Sequence, residues 1–144
     1  MIVAHLVGDY CLQSDWMALE KTKRSGAALA HAATYTLPFM LLLPPAHGGM
    51  GLAFIFISHF VIDRWRLARY VCWLKNFLSP PHTYGPTDLF GHRDETKWRH
   101  PWSVCSTTGY HKDRPPWLAT WLLFIADNTL HLICNGIALS YLRG

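Results

Sequence analysis

Over residues 117–142 the chain carries one formally charged side chain, Asp127, and residues 118–126 within that stretch have no polar side at helical spacing. A helix without a polar face cannot lie on the surface of a soluble core; it needs protein or hydrocarbon around it. Residues 52–57 have the same character, and four apolar segments can be drawn, at about 2–19, 27–43, 50–77 and 117–142. Segments of roughly 17 to 25 residues match the hydrocarbon thickness of a bilayer. Composition agrees, with 51% hydrophobic and 15% charged residues, where soluble domains carry about a quarter charged. A disordered tail, a coiled coil and a soluble domain with a charged surface are excluded. The expected fold is all-α: an integral-membrane bundle of about four helices forming one domain, with a long cytoplasmic loop over 78–116 before the last helix. A soluble all-α domain of buried helices is the competing fold.

Twelve of the thirteen Lys and Arg fall in two blocks, residues 21–24 and 64–114. Blocks at segment flanks follow the positive-inside rule, whereas a nucleic-acid binder spreads its basic residues along a groove or helix face. No nucleic-acid partner is expected. Pro44-Pro45 followed by Gly48-Gly49 reads as a tight turn that makes the second and third segments a hairpin. The flanks of that hairpin are the two basic blocks, so both belong on the cytoplasmic side. Trp16, Trp65 and Trp117 then fall near cytoplasmic helix ends, where an aromatic belt lies. The expectation is four crossings with both termini outside. The opening segment does not read as a signal peptide, because it lacks a basic start and Asp9 interrupts its apolar run. Cys11, Cys72, Cys105 and Cys134 form no C-x-x-C pair. They read as small buried apolar side chains rather than a disulfide framework or zinc knuckle.

Seven ionisable residues stand inside the apolar segments: His5, Asp9, His31, His59, Asp63, Asp127 and His131. Six form His/Asp pairs four residues apart, which share one helix face. Asp88 and His92 make a fourth pair in the loop, and about one such pair is expected by chance. An ionised Asp at mid-bilayer costs at least roughly 2.5 to 3.5 kcal/mol. The three intramembrane carboxylates must therefore face the bundle interior, paired with His or neutralised by a cation. Inward-facing His and carboxylates from several helices are how bundle metal sites are built, and this donor set suits Zn²⁺, Mn²⁺ or Fe²⁺.

Seven candidates exceed one tetrahedral zinc. Either two metals share a bridging carboxylate, or one metal takes three or four ligands and the remainder orient them. Gln13, one turn beyond Asp9, and Asn128, beside Asp127, are candidates for supporting contacts to ligands or substrate. His31 alone also reads as a cross-helix hydrogen bond, Asp63 as a partner of Arg66 or Arg69, and Asp15 as an interfacial charge. His82, His92, His100 and His111 with Cys105 match no zinc-finger spacing and read as solvated loop residues. The run Arg64, Arg66, Arg69, Lys75 suits anionic headgroups of the bilayer.

The opening His5-Leu-Val-Gly-Asp9-Tyr-Cys-Leu-Gln13-Ser-Asp-Trp16-Met17, followed by Lys21, carries a family resemblance. It continues at His31, at His59-Phe-Val-Ile-Asp63-Arg64, and at Pro115-Pro116-Trp117 leading to Asp127-Asn128-Thr-Leu-His131. Together these resemble the small phage and bacterial membrane proteins of domain of unknown function 3307. The resemblance implies a bacterial inner-membrane protein, phage-encoded in origin, and supplies no activity. A looser similarity to bacterial membrane-bound metal-dependent hydrolases implies hydrolysis and carries over only the His and Asp positions already named.

The expected function is a metal-dependent hydrolase in the membrane, holding one or two Zn²⁺ or Mn²⁺ ions through His5, Asp9, His31, His59, Asp63, Asp127 and His131. Asp9, Asp63 or Asp127 would act as general base, on a lipid or phosphorylated substrate entering from the cytoplasmic leaflet. No G-x-S-x-G motif and no P-loop is present, so water rather than a serine is the expected nucleophile. The competing class is non-enzymatic: a proton or metal-ion pathway, or a phage-encoded binder of a host membrane partner.

Overall fold

The computed structural model describes residues 1–78, 101–112 and 114–142. All regular elements among them are helical, and they belong to two compact units, Met1–Leu67 with Asp127–Gly144, and Ala68–Ala126.

In the first unit, α1 (Ile2–Leu6) runs directly into a π-helical turn (Val7–Cys11), where the Leu12 N–H donates to the Val7 carbonyl at 3.0 Å. The chain bends over residues 12–14 and restarts as α2 (Asp15–Glu20). Ser14 is its N-cap, the hydroxyl accepting from the Met17 N–H. The first apolar segment, over 2–19, where Asp9, Gln13 and Asp15 also allow a re-entrant or interfacial course, is thus in three pieces. The Ser-Asp step offers a cap and an acidic first turn, and these outweigh the apolar pattern.

Helix α3 (Ser25–Thr36) is rich in small residues, and Ala27, Ala28 and Ala32 are fully buried. Small side chains let helix backbones approach closely, and α3 packs along α4 (Pro45–Trp65). Pro38 lacks the N–H that would extend α3, so the chain tightens into a 3₁₀ turn over Leu37–Leu41. Pro45 occupies the first turn of α4, where a missing N–H costs nothing. The connection is therefore shorter than the Pro-Pro and Gly-Gly pattern suggests: residues 46–49 are helical, with a kink at Gly48.

Helix α4 stops at Arg66, which adopts the left-handed conformation (φ 51°, ψ 52°). The Leu67 N–H donates to the Ile62 carbonyl at 3.0 Å and the Arg66 N–H to that of Asp63 at 3.1 Å. This is a Schellman closure, so the helix expected over 50–77 is broken. At the same end Arg64 donates to the Thr22 carbonyl at 2.8 Å and to the Ser25 hydroxyl at 3.3 Å. The start of the second basic block is thereby joined to the first, as a hairpin of α3 and α4 requires. The unit is completed by α7 (Pro116–Tyr141) from Asp127 onward, around an apolar core of Ala4, Tyr35, Phe39, Leu43, Leu52, Ile55 and Ala138.

The second unit holds α5 (Ala68–Phe77), the short α6 (Trp102–Cys105) and the first part of α7. Helix α6 falls inside the expected loop. Cys72, Tyr110 and Ala119 form the core, and Gly109 closes it with φ +81°, its missing Cβ leaving room for the Arg69 carbonyl. Tyr70 stacks on Trp102 at 4.6 Å, and the Arg69 guanidinium lies over both rings. His82, Asp88, His92 and His100 lie outside the described residues. All four cysteines are free; Cys72 and Cys105 are buried, whereas Cys11 is exposed, contrary to the buried role expected of it.

Helices α4 and α7 are long and apolar enough to cross a membrane. At 1.5 Å per residue, the 21 residues of α4 extend about 30 Å, the thickness of a hydrocarbon core. Beside its apolar core the first unit buries polar side chains and exposes large apolar ones. His5, His31, His59, His131 and Asn135 are at most 1% exposed, while Leu41 is 87%, Met50 70% and Ile57 58% exposed.

Candidate metal centre

Four buried side chains from three stretches of the first unit converge. Asp9 comes from the π turn, His31 from the middle of α3, and His59 and Asp63 from successive turns near the end of α4. His31 Nε2 lies 3.1 Å from Asp9 Oδ1 and 3.2 Å from Asp63 Oδ2. His59 Nε2 lies 3.2 Å from the same Asp63 oxygen and 4.0 Å from Asp9 Oδ1. Donors bound about 2.1 Å from a shared metal sit about 3 to 3.5 Å from one another. The three shorter separations therefore fit a common cation as well as they fit direct contacts. His59 Nε2, Asp63 Oδ2 and His131 Nε2 are buried without a well-directed hydrogen bond, although Lys21 Nζ forms an ion pair with that Asp63 oxygen; unsatisfied atoms of this kind suit a cation.

A second group shares Asp63. His131 Nε2, from α7, is 3.4 Å from Asp63 Oδ1 and 3.6 Å from Asp127 Oδ2, so the two oxygens of Asp63 serve one group each. His59 and His131 also meet through their other nitrogens, Nδ1 to Nδ1 at 3.1 Å. That contact restricts the chemistry. In a hydrogen bond between two neutral imidazoles, one Nδ1 carries the proton and its ring leaves Nε2 free to bind a metal. The other ring accepts at Nδ1 and must be protonated at Nε2. Only one of the two rings is then a ligand through Nε2.

Around the donors lies a layer of hydrogen bonds. The Tyr35 ring stacks on His59 with centroids 3.5 Å apart, and its hydroxyl accepts from Asn135 Nδ2 at 2.7 Å and meets His5 Nδ1 at 2.8 Å. His5 Nε2 and the Tyr10 hydroxyl both reach Asn128 Oδ1, at 2.7 and 2.8 Å. Tyr35 can take this position because Gly8 has no side chain; a Cβ there would stand 2.8 Å from the Tyr35 carbonyl oxygen. The π turn places Gly8 against α3 and Asp9 in the cluster. Such turns recur at functional sites because the added residue re-aims a side chain.

Asp9, His31, His59 and Asp63 thus form one group, and Asp63, Asp127 and His131 the other. His5 stands apart from both: each of its ring nitrogens is hydrogen-bonded, and its nearest carboxylate oxygen, of Asp9, is 4.0 Å away. Asn128 supports His5, and Gln13 accepts from Lys21. Asp63 meets Lys21 and three histidines rather than Arg66 or Arg69. Two contributors are not among the candidate site residues of the sequence. Lys21 Nζ is 2.8 Å from Asp63 Oδ2, 3.2 Å from His31 Nε2 and 3.9 Å from Asp9 Oδ1. Tyr35 reads in sequence as an ordinary core aromatic.

The family described as a protein of unknown function (DUF3307) matches residues 1–93, and the chain belongs to that family. The match spans Asp9, Lys21, His31, His59 and Asp63. No curated protein and no solved structure matches the chain.

Proposed function

We propose that this member of the DUF3307 family is an integral-membrane hydrolase that holds one divalent cation, Zn²⁺ or Mn²⁺, on Asp9, His31, His59 and Asp63. The observation that carries this reading is the convergence of four buried donor atoms in a unit that exposes many large apolar side chains. Two carboxylates in such surroundings need cationic compensation, and Lys21 beside them offsets one charge.

The His59–His131 contact supports one cation rather than two. With His59 as the ligand, His131 takes its Nδ1–H and turns its own Nε2–H toward Asp63 and Asp127. His131 and Asp127 then hold Asp63 and His59 in place, as partners of metal ligands commonly do. Asp127, partly exposed, is the carboxylate with access to water and is assigned as general base. A bound dication supplies Lewis acidity toward a phosphoryl oxygen and toward water.

The basic residues Lys23, Arg24, Arg64 and Arg66 gather at the end of the unit that carries Asp63. We assign that end to the cytoplasmic face, where anionic headgroups concentrate, and the substrate to phosphoester-bearing lipids. A bacterial inner-membrane location and a phage origin belong to the same reading.

Metal analysis of detergent-purified protein tests the centre. Wild type is expected to hold one equivalent per chain and His59→Gln to lose it. His131→Gln should still bind, roughly ten- to hundredfold more weakly. Two equivalents in wild type, or equal loss in both variants, would replace the single-cation assignment with a two-metal one. Metal-loaded protein that releases no phosphate from lipids in nanodiscs would shift the reading to an ion pathway.

A further inference from the structure

We infer that Lys21 is the residue of this site that binds the anion, gripping an oxygen of a phosphoryl group that bridges it to the cation. The inference rests on the metal centre proposed above and adds the chemical class of its ligand.

Lys21 follows α2 directly, and no residue of α2 is buried. Gln13 lies just before the same helix, and Lys21 donates to its Oε1 at 2.8 Å. The helix is thus a surface strap whose two ends meet over the carboxylates, bringing one ammonium inward. The Lys21 side chain keeps 16% exposure, against 3% for Asp63 and none for His31. It is a cationic group that reaches from the four donors toward the outside, as Asp127 does from the second group.

Its position is hard to explain by neutralisation alone. The ammonium reaches Asp63 Oδ2 and His31 Nε2, two of the four atoms assigned to the cation. An ammonium and a dication on the same donors repel by several kcal/mol at an effective dielectric near 20. A tetrahedral oxyanion between them removes that repulsion and converts it into two attractions. Phosphoryl groups suit the arrangement, since lysine binds phosphate as a mobile point charge. The long stem allows Nζ to shift outward while Gln13 keeps it over the site.

Calorimetric titration of Mn²⁺-loaded protein with inorganic phosphate tests this, on wild type, Lys21→Met and Gln13→Leu. Lys21→Met should take up Mn²⁺ at least as well as wild type, because a competing cation is gone. It should bind phosphate roughly ten- to hundredfold more weakly. Gln13→Leu leaves the ammonium present and unsupported, and should weaken phosphate about fivefold. If Lys21→Met does not fold, the Gln13→Leu result decides: unchanged phosphate affinity overturns the assignment. Normal Mn²⁺ uptake with phosphate affinity kept in Lys21→Met overturns it too, leaving Lys21 as a placeholder for the metal. Failure of wild type to take up Mn²⁺ overturns both this inference and the metal centre. Repeating the titration with short-chain phosphatidic acid identifies the source of the group: tighter binding of the lipid assigns a headgroup, equal binding a free phosphate.

Discussion

Asp63→Asn is expected to lower metal affinity by more than about a hundredfold, beyond the effect of losing a supporting partner. Asp63 is the one side chain whose two oxygens serve both groups of donors. Asparagine keeps the shape, removes the charge, and presents an amide N–H₂ to one group or the other. Lys21 and His31 on one side and His131 on the other then face a neutral amide in place of a carboxylate. Mass spectrometry of detergent-purified protein, after equilibration with Zn²⁺ or Mn²⁺, reads the loss directly. A variant with full metal content would sink the centre. A variant with lowered thermal stability, beside a wild type that never held metal, would indicate a structural ion-pair network instead.

The second large effect is expected at Gly8. In Gly8→Ala the new Cβ would stand 2.8 Å from the Tyr35 carbonyl oxygen, 2.9 Å from Tyr35 Cδ2 and 3.0 Å from its Cα. Neither backbone nor ring can give way easily, since that ring is stacked on His59 and hydrogen-bonded through its hydroxyl to His5 and Asn135. Alanine gains roughly 1 kcal/mol of helix propensity over glycine. Overpacking of a tight contact costs typically 1 to 3 kcal/mol and sometimes more, so the clash wins. We expect the melting temperature to fall by several degrees, at about 2 to 4 °C per kcal/mol for a chain of this size, and metal affinity to fall with it as Asp9 is pushed away. An unchanged or raised melting temperature would show that the π turn can retreat from α3 at no cost.

The all-helical character and the polar cluster were legible because both rest on local patterns. His59 and Asp63 lie on an uninterrupted stretch of α4, so spacing of four residues places both in one group. The same spacing misleads at His5 and Asp9, because the π turn begins between them and rotates Asp9 relative to an α-helical register. His5 is left facing Tyr35 and Asn128. Asp127 and His131 do share a face of α7, yet whether they bind a metal or support its ligands depends on a proton on His59, which no sequence pattern records. Lys21 was hidden by its company: in a block with Lys23 and Arg24 it reads as a marker of the cytoplasmic side. The break at Arg66 left no sign either, since the left-handed cap normally announces itself with glycine. The break at Ser14-Asp15 was readable as a helix start, but the apolar run on either side masks it.

The π turn over Val7–Cys11 amounts to one surplus residue wound into a helix. Because each helical residue turns the chain by about 100°, excising a single residue between Val7 and Cys11 other than Asp9 would restore a plain helix while leaving all six histidines and aspartates of the two donor groups in the chain. Asp9 would nonetheless be swung out of line with His31. The assembly is therefore sensitive to the length of its first segment as well as to its chemistry, and a one-codon deletion there is expected to be as damaging as loss of a ligand.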